Sequence, residues 1–152
     1  LETVKSRVIG IDIDIRKHNK KAINEHFLKK YIQLIEGDST SDGVLKKVNL
    51  LSKKYKKVLV ILDSNHTMDH VYNELNLYSK FVTKNSYCVV FDTIIGKMKH
   101  DMYPNRPWNF NNSPLQAVRK FLKSNKKFIS DLSIDNKLLI SVSPEGYLKK
   151  IK

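Results

Sequence analysis

Four apolar runs, each followed by an acid, recur along this chain at a spacing of about one strand plus one helix. They are RVIGIDID (Arg7–Asp14), which closes on Asp12 and Asp14, YIQLIEGD (Tyr31–Asp38), KVLVILD (Lys57–Asp63) and SYCVVFDT (Ser86–Thr93), whose acid is Asp92. Short apolar runs rich in β-branched residues, alternating with helical periodicity, predict right-handed βαβ units and a mostly parallel sheet. In such a sheet the carboxyl ends of all strands share one edge. Acids far apart in sequence therefore converge there, and that edge is where open α/β sheets bind ligands. A single Asp at this point is ordinary N-cap chemistry for the next helix. Four in succession point to a site.

The most informative stretch is KVLVILDSNHTMDHV, Lys57 to Val71. Val58 to Leu62 are continuously apolar, which predicts a strand buried on both faces. Asp63, Ser64, Asn65, His66 and Thr67 then gather a carboxylate, an amide, an imidazole and two hydroxyls at its end. Helices are expected over His18–Lys29, with Ala22, Ile23, Phe27 and Leu28 inward, and from a Ser41 cap through Val44, Leu45, Val48 and Leu51. A third runs from Thr67 to Lys80 with Val71, Tyr72, Leu75 and Tyr78 inward. Ser113 followed by Pro114 starts a fourth, carrying Leu115, Val118, Phe121 and Leu122. Residues 94–112 are irregular, with Pro104, Pro107 and Trp108. Lys127–Asp131 and Leu138–Ile151 read as closing strands, with Gly146 at a turn or bulge.

Length sets the domain count: 152 residues suffice for one domain with a core, so residues 1–152 are read as a single domain. The lone cysteine, Cys88, excludes a disulfide framework and fits a reducing, cytoplasmic compartment. No run approaches the ~20 apolar residues of a membrane helix. The net charge of +13 invites a nucleic-acid reading, but only four of the 28 basic residues are arginine (Arg7, Arg16, Arg106, Arg119). Nucleic-acid surfaces draw on arginine forks for phosphate and base contacts. Lysine spread over nearly every helix and turn is a compositional bias instead, and no specific nucleic-acid partner is expected. A homo-oligomer is compatible with the chain.

At the shared edge, Asp12 suits the ribose hydroxyls of a nucleotide cofactor, and Asp38-Ser39 falls near a base. Asp63 and Asp92, ending neighbouring strands, can share a hard divalent cation such as Mg²⁺, which prefers carboxylate and water oxygens. His66, three residues beyond Asp63, can face the same cleft as a general base. Arg106 and Trp108, with Tyr103, can wall an acceptor; a proline-braced loop explains them as well. His66 and His70 are spaced for zinc on a helix face but lack a third partner.

Together VIGIDIDIR, EGDS, VLVILDSNHTMDHV, YCVVFDT, the RPW…NNSP segment and SPEGYLKK resemble the cephalosporin hydroxylase and rhamnosyl O-methyltransferase family, in order and spacing over nearly the whole chain. The resemblance implies a Rossmann-like class I methyltransferase fold, an α/β sheet with helices on both faces. It also implies S-adenosylmethionine (SAM) as methyl donor, Mg²⁺, and a sugar or glycoside hydroxyl as acceptor. By position, Asp12, Asp38, Ser39 and Asp63 fall to the cofactor, Asp63 and Asp92 to the metal, His66 to the base, and Arg106 and Trp108 to the acceptor. Two departures stand out. The family's adjacent Glu-Asp pair is Phe91-Asp92 here, which removes one expected metal ligand. The family's first strand and glycine-rich loop have no counterpart, so a chain opening on Leu1 is expected to continue upstream.

Three other readings differ in class. VIGIDIDI nearly fits the DxDx[T/V] signature of haloacid-dehalogenase-type phosphatases, with Asp12 as nucleophile and Asp14 as acid, but Ile15 stands at the fourth position. A cephalosporin-hydroxylase-like oxygenation partner and a non-catalytic binding remnant are the others.

Overall fold

The computed structural model describes residues 6–99 and 102–152. Of the segment expected to be irregular, positions 100 and 101 lie outside the described residues. The chain divides into two compact units, Leu1–Leu51 and Ser52–Lys152.

In the first unit, β1 (Val8–Asp12) and β2 (Ile32–Glu36) form a parallel pair with Val8 opposite Ile32 and Asp12 opposite Glu36. The connection is α1 (Lys17–Glu25) and a 3₁₀ turn at Lys29–Tyr31. After β2 comes α2 (Asp42–Ser52), which buries Val44, Leu45 and Val48 with Ile35 in this unit's core. The expected inward side of the first helix is not realised. No residue of α1 is buried, and Phe27 is 75% exposed. The helix ends at Glu25, so Phe27 and Leu28 fall in the turn beyond it, out of phase with Ala22 and Ile23.

The second unit holds a four-stranded mixed sheet, in the order β3 (Val60–Leu62), β4 (Tyr87–Val90), β6 (Tyr147–Lys150), β5 (Phe128–Ser130). β3 and β4 are parallel, whereas β6 runs antiparallel to both β4 and β5. One sheet face is the core: Leu62, Cys88, Val90, Leu148 and Phe128 are buried, with Val71, Leu75 and Tyr78 of α3 (Met68–Tyr78) and Leu115, Val118 and Phe121 of α4 (Pro114–Ser124). Phe121 packs on Phe128 at 5.6 Å between ring centroids. Burial pushes the Cys88 thiol up to about 12, with the Glu74 charge adding to the effect, so this cysteine is a packing residue.

Two expectations for this unit need correction. The run at Val58–Leu62 is not buried on both faces: Leu59 and Ile61 are exposed and only Leu62 is buried. Side chains alternate along a strand, so Leu59 and Ile61 share the exposed side while Leu62 faces the core, and β3 stands at the edge of this sheet. The long closing strand from Leu138 is also absent. Asp131 caps a short helix, α5 (Leu132–Leu138), by accepting from the Ser133 amide, and only Tyr147–Lys150 pairs in the sheet.

Gly146 is where the turn meets the sheet. Its carbonyl accepts from the Val90 amide, and a Cβ there would sit 2.3 Å from the Val90 carbonyl oxygen. A rigid backbone atom cannot yield as a side-chain end does. Gly146→Ala is expected to lower stability by about 1–3 kcal/mol, the usual range for overpacking, read as a shifted urea midpoint at unchanged slope.

Candidate active site and metal centre

The parallel pair β3–β4 places Leu62 opposite Val90, so the residues that follow, Asp63 and Asp92, leave the sheet at the same edge. The Phe91 amide still bonds the Leu62 carbonyl at 3.0 Å, holding the two exits together. Asp92 then takes a left-handed conformation (φ 55°, ψ 25°), uncommon for a residue with a side chain, before a 3₁₀ turn at Thr93–Lys97. His66 comes from the loop between β3 and α3, where Asn65 shapes the chain by accepting from both the amide and the hydroxyl of Thr67.

Asp63, His66 and Asp92 bring one donor atom each within 4.8 Å of one another. His66 Nε2 approaches Asp92 Oδ2 to 2.7 Å. The approach lacks hydrogen-bond geometry, and the buried Nε2 atom has no hydrogen-bond partner among the described residues. Burial, and next the negative charge of Asp92, raise the Asp63 carboxyl above its ordinary value, with His66 opposing. Two carboxylates that repel form a pair that a hard divalent cation would satisfy, and the His66 imidazole stands beside that pair. His70 does not belong to it. Its Nε2 lies 3.2 Å from Ser64 Oγ and 3.5 Å from Oε1 of the buried Glu74. Ser64 in turn donates to Glu74 Oε2 at 2.8 Å. Glu74 had a visible signal, an acid on the apolar face of α3 defined by Val71, Leu75 and Tyr78.

An aromatic group borders the cluster. The ring of Trp108 meets that of His66 edge-on at 5.9 Å, and Tyr103 meets Trp108 at 5.3 Å. The Arg106 guanidinium lies 5.8 Å from the centre of the Trp108 ring. Met98, Tyr103, Trp108 and Phe110 line a shallow hollow on this side.

Asp12, Asp38 and Ser39 belong to the first unit, at the carboxyl edge of its own strand pair. Asp12 Oδ1 accepts from the Asp14 amide, and Asp38 Oδ1 from the amide and hydroxyl of Thr40. Both acids therefore shape local turns, and the Asp12 carbonyl accepts from the Gly37 amide at 2.8 Å, tying the two strand ends together.

The α/β fold is shared with solved structures. The chain is similar to the MycE methyltransferase from the mycinamycin biosynthetic pathway in complex with Mg, SAH and mycinamycin VI, with 16% identity and a TM-score of 0.51, over 78% of this chain and 30% of that one. Against a second MycE crystal form, in complex with Mg and SAH, the identity is 15% and the TM-score 0.53, over 96% of this chain and 37% of that one. No curated protein matches the sequence significantly. The chain belongs to the rhamnosyl O-methyltransferase/CmcI family, whose model matches residues 1–151. It spans little more than a third of the solved MycE chain at most. No helix among the described residues is long and apolar enough to cross a membrane.

Proposed function

We propose that residues 1–152 act as one catalytic domain of a SAM-dependent, metal-assisted O-methyltransferase whose acceptor is a sugar or glycoside hydroxyl. The observation that carries this reading is the convergence of Asp63, His66 and Asp92 beside the Trp108 ring. Family membership supports it, as does the fold shared with a methyltransferase in complex with Mg, SAH and mycinamycin VI. The phosphatase reading of Asp12 and Asp14 is set aside by the same family match.

In this reading Asp12 of the first unit serves the cofactor's ribose hydroxyls, with Asp38 and Ser39 near its base, and Asp63 of the second unit is assigned to the cofactor as well as to the metal. Asp63 and Asp92 hold Mg²⁺, which when bound supplies Lewis acidity that lowers the pKa of an acceptor hydroxyl. His66 takes the acceptor proton at Nε2, and the Asp92 carboxylate 2.7 Å away stabilises the imidazolium that results. Trp108 offers an apolar ring face on which a sugar stacks, and Arg106 donates to its hydroxyls. Much of the rate enhancement would come from holding the acceptor oxygen in line with the methyl carbon.

Calorimetric titration of S-adenosylhomocysteine (SAH), with and without Mg²⁺, tests the reading. Saturable binding is expected, weakened about tenfold or more in Asp12→Ala, since a hydrogen bond to a charged group is worth about 1.5–3 kcal/mol. Binding by the wild type that Asp12→Ala leaves unchanged would remove Asp12 from the cofactor site. A folded protein, upstream sequence included, that binds no SAH would end the methyltransferase reading.

A further inference from the structure

The side chain of Asn112 joins two segments that nothing in their sequence spacing connects. Its Oδ1 accepts from the amide of Met68 at 2.8 Å, across 44 positions of sequence. Its Nδ2 donates to the Pro107 carbonyl, also at 2.8 Å. The orientation of the amide is forced by its partners, because Met68 offers only a donor and Pro107 only an acceptor. Met68 is the first residue of α3, two positions after His66, and its amide is one of the helix's orphan donors. Pro107 precedes Trp108. The backbone of Asn112 is itself fixed by reciprocal bonds with Asn109, its amide to the Asn109 carbonyl at 3.1 Å and its carbonyl to the Asn109 amide at 3.0 Å.

We infer that Asn112 is a positioning residue that clamps the Trp108 loop to the start of α3, and so holds the aromatic wall at a fixed distance from His66. The inference rests on the reading that Trp108 and His66 serve one acceptor. A helix-capping role alone would need only the Oδ1 bond to Met68. The second bond, to Pro107, is what ties the wall to the base, and through it the edge-on contact at 5.9 Å is maintained.

The two roles separate experimentally, because Asn112→Asp keeps one and destroys the other. A carboxylate still accepts from the Met68 amide, and its charge is favourable at a helix N-terminus. It repels the Pro107 carbonyl, however, and donates nothing to it. Trp108 is the single tryptophan of the chain and reports its own position by fluorescence. Two quenchers probe it: acrylamide for access to the ring, and Co²⁺ alone for proximity to the Asp63–His66–Asp92 centre, since energy transfer to this ion falls steeply with distance.

For Asn112→Asp the thermal midpoint is expected within about 3 °C of wild type. The acrylamide quenching constant should rise about twofold or more as the loop opens locally. Quenching at saturating Co²⁺ should fall, with the Co²⁺ concentration for half-effect unchanged. Asn111→Ala, in the same loop, should move none of these. Wild-type access and wild-type Co²⁺ quenching in Asn112→Asp would overturn the clamp. If Asn112→Ala fails to fold, Asn112→Asp still decides. If Co²⁺ leaves even the wild-type emission untouched, the metal reading fails while acrylamide access alone decides the clamp.

Discussion

His66→Ala is expected to lower methyl transfer by about 10²–10⁴-fold, the usual worth of a positioned general base, while the affinity for SAH stays as in wild type. The asymmetry follows from where the imidazole acts. In the proposed mechanism His66 would meet the acceptor proton only as the oxygen begins to attack, so its loss would remove transition-state stabilisation and not ground-state binding. Its Nε2 atom is buried, has no hydrogen-bond partner among the described residues and lies 2.7 Å from the Asp92 carboxylate. A proton taken up by the imidazole there would sit against the Asp92 carboxylate. Asp92→Asn should therefore also slow turnover, both by weakening the metal and by leaving the imidazolium uncompensated. SAH formed from SAM in the presence of a glycoside acceptor with a free hydroxyl measures both effects. Unimpaired turnover in His66→Ala would take His66 out of the mechanism and leave the two carboxylates to carry it.

The edge at which this chemistry gathers was legible in the sequence because it depends on strand ends, and an acid after an apolar run marks a strand end directly. Asp63, His66 and Asp92 converge for that reason: β3 and β4 are parallel neighbours, and parallel neighbours exit on the same side. Helices with a continuous apolar stripe were equally plain, as in α4, whose start at Ser113-Pro114 and buried Leu115, Val118 and Phe121 follow from cap and period alone. What the pattern misjudged depends on neighbours instead. An apolar run such as Val58–Leu62 does not disclose whether it sits in the middle of a sheet or at its edge. The apolar residues of Leu138–Ile151 do not disclose that Asp131 caps a helix before them. Asn112 was hidden for a third reason: its two hydrogen bonds are long-range, and nothing in NNSP distinguishes it from the asparagines beside it.

Asp63→Asn is expected to make the metal-free protein slightly more stable at neutral pH and to cancel any stabilisation by Mg²⁺. Burial, and after it the Asp92 charge, raise the Asp63 carboxyl above its ordinary value of 3.8. A carboxyl raised on folding binds its proton more tightly in the folded state. Its stabilising contribution is complete below the unfolded value and is lost as pH climbs through the folded one. At neutral pH the ionised group is therefore a liability, held close to a second carboxylate by the shared exit of β3 and β4. Asparagine keeps the shape and removes the charge. The side chain is largely exposed, so solvent screening limits the gain to under about 1 kcal/mol, and it should vanish near pH 3, where both side chains are neutral. Mg²⁺ at about 100 times its dissociation constant should add about 2.7 kcal/mol to the wild type and nothing to Asp63→Asn, so the order of stability inverts when the ion is added. Thermal melts of both proteins with and without Mg²⁺, at neutral pH and at pH near 3, show whether it does. Equal stabilisation of both by Mg²⁺ would mean that the ion binds elsewhere and that Asp63 is not a metal ligand.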